Sequence, residues 1–277
     1  MGTGVTDEVC TRFSLIPETS LIAAHRPGGR SVARMTLTGS SRPSTAPSRA
    51  PAARFGGFPE EALLFYEGLE ADNSKAYWTD RREVYERAVR EPLQALLDEL
   101  EPEFGAGKIF RPYRDVRFSA DKTPYKTAAA ALVPSGDGGA SFYVQVSARG
   151  LFVGAGCYHM SRDQLARYRA AVLQEGPGGE LARVSEGLAG AGFELHGERL
   201  QRVPRGVDAA HPRADLLRFK GLAAMRDFGV QPWLETPGCR DSVADAWRGA
   251  APLVRWLGRH VGPAEETEGE RPARRRS

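Results

Sequence analysis

Near Gly105 the hydrophobic period of this chain changes from that of a helix to that of a strand, and no other feature constrains the fold as much. Before that point Ala62, Phe65, Tyr66 and Leu69 recur at helical spacing, as do Tyr85, Val89, Leu93, Leu96 and Leu100. After it, Ser141-Phe-Tyr-Val-Gln-Val-Ser147 and Gly150-Leu-Phe-Val-Gly-Ala-Gly-Cys-Tyr158 read as two strands joined by a short turn at Ala148-Arg149. Helices followed by strands adjacent in sequence predict an α+β fold, an antiparallel sheet packed with helices.

Local signals place the elements. Pro59-Glu-Glu61 opens a first helix that runs to about Glu70, and Asp72-Asn73-Ser74 ends it and can cap the next. Asp80-Arg-Arg-Glu83 reads as a capping box, and Pro92 is expected to kink or divide the helix that follows. Asp115-Val-Arg-Phe118 alternates as a half-buried strand would. Ser161-Arg-Asp-Gln164 caps another helix, which Gly-Pro-Gly-Gly at 176–179 is expected to end. A short helix at Leu181 to Leu188, an extended stretch from Phe193 to Val203, a helical turn from Ala214 and a last helix from Ser242 to Leu257, disturbed at Pro252, complete the pattern. Gly154 and Gly156 stand two apart, so one face of their strand lacks side chains and something can approach it closely.

The formal charge of +3 is unevenly spread. Residues 1–54 hold seven Arg against three acids, and residues 261–277 hold four Arg and four Glu. What remains is a nearly neutral stretch of 27 basic and 28 acidic residues, so global charge gives no support to nucleic-acid binding. The Ser/Thr/Pro-rich segment 36–54 cannot bury enough surface to offset its ordering entropy, which makes 1–54 an expected disordered extension. A single domain is expected at 55–260 and a flexible charged tail at 261–277. Cys10, Cys157 and Cys239 form no disulfide framework, and no spanning apolar run or long signal-like core is present. A cytoplasmic protein without a membrane partner is the expectation.

One local concentration stands out: Lys108 to Lys126 holds six basic, two acidic and four aromatic residues in nineteen positions. Guanidinium groups present paired donors that suit phosphate or carboxylate oxygens. Arg111, Arg114 and Arg117 are therefore candidates for neutralising a small anionic ligand, Lys122 and Lys126 for a closing loop, and Tyr113 and Tyr125 for its aromatic wall. A second basic cluster, Arg202, Arg205, Arg213, Arg218 and Lys220, would share that cleft if the fold brought the two together. Asp115, His159 and His211 are the candidate acid–base groups, and Cys157, in an apolar strand, reads as a structural thiol. The same Arg and Asp residues would equally serve as a structural network inside the fold.

Phe55-Gly-Gly-Phe58, Asn73 through Trp78, Lys108 to Phe118, Lys122-Thr-Pro-Tyr-Lys126, Gly150 to Tyr158, Arg202 to Gly206 and His211-Pro-Arg213 together resemble the bacterial and fungal family DUF2461. The resemblance covers roughly residues 55–260 and implies one conserved domain of uncertain role, with no catalytic residues to carry over. The dinucleotide, phosphate-loop and nucleophile-elbow glycine motifs are absent, no cofactor is implied, and no His, Cys and Asp spacing makes a metal site. Three readings stand: a small-anion site with or without turnover, nucleic-acid binding with aromatic stacking, or a protein-interaction scaffold.

Overall fold

The computed structural model of the protein describes residues 54–114 and 121–265. The expectations for the N-terminal extension, for the tail beyond Glu265 and for a strand at Asp115–Phe118 lie outside the described residues. Helix α1 (Glu60–Ala71) begins after Pro59 with Glu60 and Glu61 in its first turn, and it buries Ala62, Leu63, Phe65, Tyr66 and Leu69. The next helix starts earlier than expected. Ser74 caps α2 (Lys75–Val84) by accepting the Tyr77 N–H at 3.1 Å, so Asp80 to Glu83 lies inside a helix and caps nothing. From α2 the chain continues through a π-helical turn, Tyr85–Arg90, into α3 (Glu91–Phe104). Pro92 has no N–H for the carbonyl four residues back, and the wider turn just before it absorbs the misfit without breaking the rod.

Six strands form one antiparallel sheet: β1 (Lys108–Ile109), β2 (Ala128–Pro134), β3 (Ser141–Ser147), β4 (Gly150–Cys157), β5 (Glu194–His196) and β6 (Leu222–Gly229), in the order β1-β2-β3-β4-β6-β5. Ser147 faces Gly150, which puts the hairpin turn at Ala148-Arg149 as expected. Strands β2 and β6 carry no alternation that a sequence reading could use. Ala128-Ala-Ala-Ala-Leu-Val-Pro134 and Leu222-Ala-Ala-Met225 are buried on both faces over most of their length, and a strand covered on both sides loses its period of two.

After the sheet's central hairpin, α4 (Arg162–Leu173) begins with the Ser161–Gln164 capping box. The glycine-rich residues 176–179 do not form a terminating loop. They make the first turn of α5 (Glu175–Gly190), where a proline's missing N–H is unpaired in any case. A short α6 (Ala214–Leu217) precedes β6, and a 3-10 turn at Pro232–Glu235 leads into α7 (Gly238–His260), which passes through Pro252. Burial of Trp247, Leu253, Val254, Trp256 and Leu257 holds that helix together across the proline.

The helices cover one face of the sheet. Ala129, Ala131, Val133, Phe142, Val144, Val146, Leu151, Val153, Ala155, Leu222 and Ala224 join the main core with the helical side chains. Trp247 also donates its indole N–H to the Tyr143 carbonyl at 3.1 Å. The alternate residues belong to the other face, where Ala223 and Met225 form a separate small cluster with Phe152 and Tyr158. The bare position at Gly154 is filled from within: a Cβ there would lie 1.9 Å from the Met225 sulfur.

Candidate functional site

Between Ile109 and Ala128 the chain makes an excursion that begins and ends as a continuation of the β1–β2 ladder. The Phe110 N–H donates to Ala130, Lys126 to Pro112 and Arg114 to Pro124, and Tyr113 bridges Tyr125. Asn73, in the α1–α2 turn, fastens this excursion to the helices. Its side-chain amide donates to the Tyr125 carbonyl at 3.0 Å and its side-chain oxygen accepts the Tyr125 N–H at 3.1 Å. Tyr125 stacks on Trp78 with ring centroids 4.4 Å apart and planes 8° from parallel. Tyr85, Tyr113 and Phe65 extend the aromatic cluster around Trp78. Tyr113 closes it on the solvent side, 49% exposed.

Alternation along the chain decides where Lys126 goes. Tyr125 packs into the main core, so Lys126 belongs to the opposite face with Ala128 and Ala130, and its Nζ lies 5.2 Å from the centroid of the Phe110 ring. The side chain is 6% exposed. Among the described residues no carboxylate pairs with it. Burial, and after it the charges of Arg111 and Arg114, pull its pKa down from 10.5 to about 8. Arg111 is exposed and also has no described acidic partner. Arg114 is different: it pairs with Asp121 and donates to the Thr123 hydroxyl at 2.6 Å. Asp121 in turn accepts the Thr123 N–H at 2.9 Å and the Thr123 hydroxyl proton, and with Arg114 these bonds draw its carboxyl down to about 2. Thus Arg111, Tyr113, Arg114, Tyr125 and Lys126 share one neighbourhood, Lys122 lies exposed in the same excursion, and Arg117 and Asp115 lie outside the described residues.

The second basic cluster does not join them. β1 and β5 are the two edges of the sheet, about 24 Å apart across five strand spacings. Residues 110–127 leave the sheet at the end marked by Ser147 and Gly150, whereas residues 197–221 leave it at the end marked by Cys157 and Leu222. The cleft expected from convergence of the two clusters is therefore absent from this topology. Arg213, 8% exposed, is spent on helix termini: its Nε donates to the Val172 carbonyl at 2.8 Å, and its other donors meet Leu173 and Glu175. Arg199 and Arg218 reach Asp215, and Lys220 pairs with Glu198. Arg202 and Arg205 are exposed in the connecting loop.

Neither candidate histidine approaches Lys126. His159 is exposed beyond the far end of β4, where its carbonyl accepts from the Cys157 thiol at 3.2 Å. Burial pushes that thiol up to about 11, as expected for a structural cysteine. His211 turns its Nδ1 to the Arg213 N–H at 3.1 Å and so stiffens the turn before α6. No group of three or more His, Cys, Asp or Glu side chains able to hold a metal ion occurs among the described residues. Asn73, Trp78 and Phe110 are the neighbours that a reading of charge missed.

Many other arginines form exposed ion pairs, among them Arg87 with Glu61, Arg248 with Glu103 and Asp245, and Arg259 with Glu180. Such pairs contribute about 0–1 kcal/mol each and mark no site. A family model for a conserved hypothetical protein, DUF2461, matches residues 61–256, a span that holds the aromatic cluster, Lys126 and the sheet. No curated protein matches the sequence.

Proposed function

The chain belongs to the DUF2461 family, whose name assigns no chemistry, and we propose from the site itself that the protein binds a small oxyanion, phosphate- or carboxylate-bearing, at Lys126 and Arg111. The observation that carries this reading is the largely buried Lys126 side chain, set near Arg111 and Arg114 with no described carboxylate to offset its charge. A buried charge is stable only when paired. Arg114, already engaged by Asp121, adds positive potential without being the principal ligand, and Tyr113 with Tyr125 supplies a rigid wall. The reading is one of binding. His159 and His211 are too far along the sheet to serve as acid or base there, so no turnover is built on them.

Thermal unfolding of the full chain in phosphate against chloride at matched ionic strength tests this. Phosphate is expected to raise the midpoint, by the equivalent of about 1.4 kcal/mol at ten times its dissociation constant, and Lys126→Met is expected to abolish the rise. The response belongs to the ammonium form, so it should be full at pH 7 and fade as pH climbs past the lysine's pKa. No stabilisation by phosphate or by acetate at any concentration would sink the proposal. Tight, steeply salt-dependent binding of a single-stranded oligonucleotide in its place would favour the nucleic-acid reading.

A further inference from the structure

The sheet face turned away from the helices changes sign along its width. Its β1 end carries Lys126, with Arg111 and Arg114 near it. Towards β6 and β5 the charges are acidic. Glu194 stands opposite Met225 and His196 opposite Ala223, which sets both side chains on the face of the Ala223 and Met225 cluster. Asp227, two residues beyond Met225, joins them. Beside these acids lie Phe152, Tyr158, Ala223 and Met225, a cluster with no helical residue among those described. Ala223 and Met225 are nevertheless only 2% and 4% exposed. A side chain whose neighbours all lie in its own sheet keeps its outer side in water, so burial to that degree requires a cover. Phe152, Tyr158, His196 and Asp227 are also each engaged by a further group. The described helices pack on the other face and do not supply that cover.

The chain's first residues have the composition such a cover needs. Phe13, Leu15, Ile16, Leu21 and Ile22 put five large apolar side chains into ten positions, with Glu18 the single acid among them. Arg12 precedes them, and Arg26, Arg30 and Arg34 follow. The stretch 12–34 therefore holds four arginines against one acid, a sign opposite to that of Glu194 and Asp227. Residues 36–54, rich in Ser, Thr and Pro, have the composition of a tether. The described chain starts beside α3, where the Phe55 N–H donates to Glu99 at 2.8 Å. From Ala24 to that point the chain can extend to about 100 Å, enough to pass around a domain about 40 Å across.

We propose that residues 12–34 dock back onto the β4–β6–β5 half of this face, with Phe13 to Ile22 over Phe152, Tyr158, Ala223 and Met225 and the flanking arginines towards Glu194 and Asp227. The cover stops short of the β1 half, where Lys126, Arg111 and Arg114 repel a cationic segment. The oxyanion site is therefore left open, and the inference does not depend on it. The chain's own segment is favoured over a second copy because a tether holds it at an effective concentration on the order of millimolar.

Hydrogen exchange of the full chain, read by mass spectrometry, tests this. Amides at 13–22 are expected to exchange at least about tenfold more slowly than those of an open chain. Phe13→Asp with Leu21→Asp, which changes nothing between residues 54 and 265, should restore the open-chain rate while urea unfolding of the domain stays cooperative. Glu194→Lys with Asp227→Lys, both at exposed positions, should speed exchange at 13–22 several-fold, about threefold or more, and so tie the contact to this face. Photo-crosslinking then locates it: p-benzoylphenylalanine in place of Phe13 is expected to join peptides of β4 or β6 in the same molecule. Open-chain exchange at 13–22 in the parent overturns the proposal, as does protection indifferent to the Glu194 and Asp227 changes. Crosslinks between two copies, rising with protein concentration, give the face to a second molecule and overturn it too. None of these outcomes bears on the phosphate response at Lys126.

Discussion

The two edges of the sheet hold basic residues in similar numbers and use them in opposite ways. At the β5 edge most of the described cations are paired: Arg213, buried, with the carbonyls that end α4, and at the surface Arg199 and Arg218 with Asp215 and Lys220 with Glu198, while Arg202 and Arg205 are exposed in the loop. At the β1 edge Arg114 is held by Asp121, while Lys126 is buried near Arg111 and Arg114 without a described acid. The difference teaches that a density of arginine in a sequence says nothing by itself about a ligand. What matters is which cations the fold largely buries without an acid beside them.

The contrast is most sharply tested at Arg213. Arg213→Ala leaves the terminal carbonyls of α4 without their charged donor and is expected to destabilise the protein by about 2–4 kcal/mol in urea unfolding, with no change in phosphate affinity. A variant that keeps its stability but loses phosphate would erase the distinction between the edges.

Lys126→Met predicts the opposite pattern. Removing a largely buried ammonium that has no described carboxylate partner should stabilise the protein by about 1–2 kcal/mol at pH 7 while ending the phosphate response. The pH dependence follows from the lysine's fall from 10.5 to about 8. Between those values the unfolded chain binds more protons than the folded one, so wild-type stability rises with pH across that window. The cost of the buried charge is complete below pH 8 and is relieved towards pH 10.5. The advantage of the methionine variant should therefore be largest at pH 7 and mostly gone by pH 10. A variant less stable than the parent at pH 7 would mean that Lys126 is already satisfied.

Much of the fold was legible because its signals are local. The caps at Ser161, the β3–β4 hairpin and the helical opening each follow from residues that act within one turn of themselves. The misses have physical causes. β2 and β6 are alanine-rich and covered on both faces, so the period of two that announces a strand was not there to read. Asp72-Asn73-Ser74 can cap a helix, but Asp80 to Glu83 has the fuller pattern of a capping box. A capping box requires an end of a helix, and that is fixed by where Trp78 must be buried. For the site, residue types were readable and pairing was not. Arg114 and Lys126 sit twelve positions apart in one basic stretch, and only the turn that brings Asp121 to Arg114 separates their fates. Which edge each cluster occupies is a property of strand order, to which no residue of either cluster contributes.

That turn offers the finest test of the comparison. Asp121 is exposed and gains its low pKa, about 2, from the Thr123 N–H and hydroxyl and then from Arg114. The stabilisation it provides is present above its ordinary value of 3.8 and is lost as pH falls through about 2, far below the window in which Lys126 titrates. The two effects can thus be read separately. Asp121→Asn keeps an acceptor for the Thr123 N–H but removes the charge that holds Arg114, so the loss of stability should stay below about 1 kcal/mol. Arg114 would then be a third cation beside Lys126, turning the β1 edge further from the β5 pattern, and phosphate affinity should rise several-fold, about twofold to tenfold. If affinity is unchanged while the loop stays ordered, Arg114 is a tie within the turn and nothing more, and the oxyanion site narrows to Lys126 and Arg111.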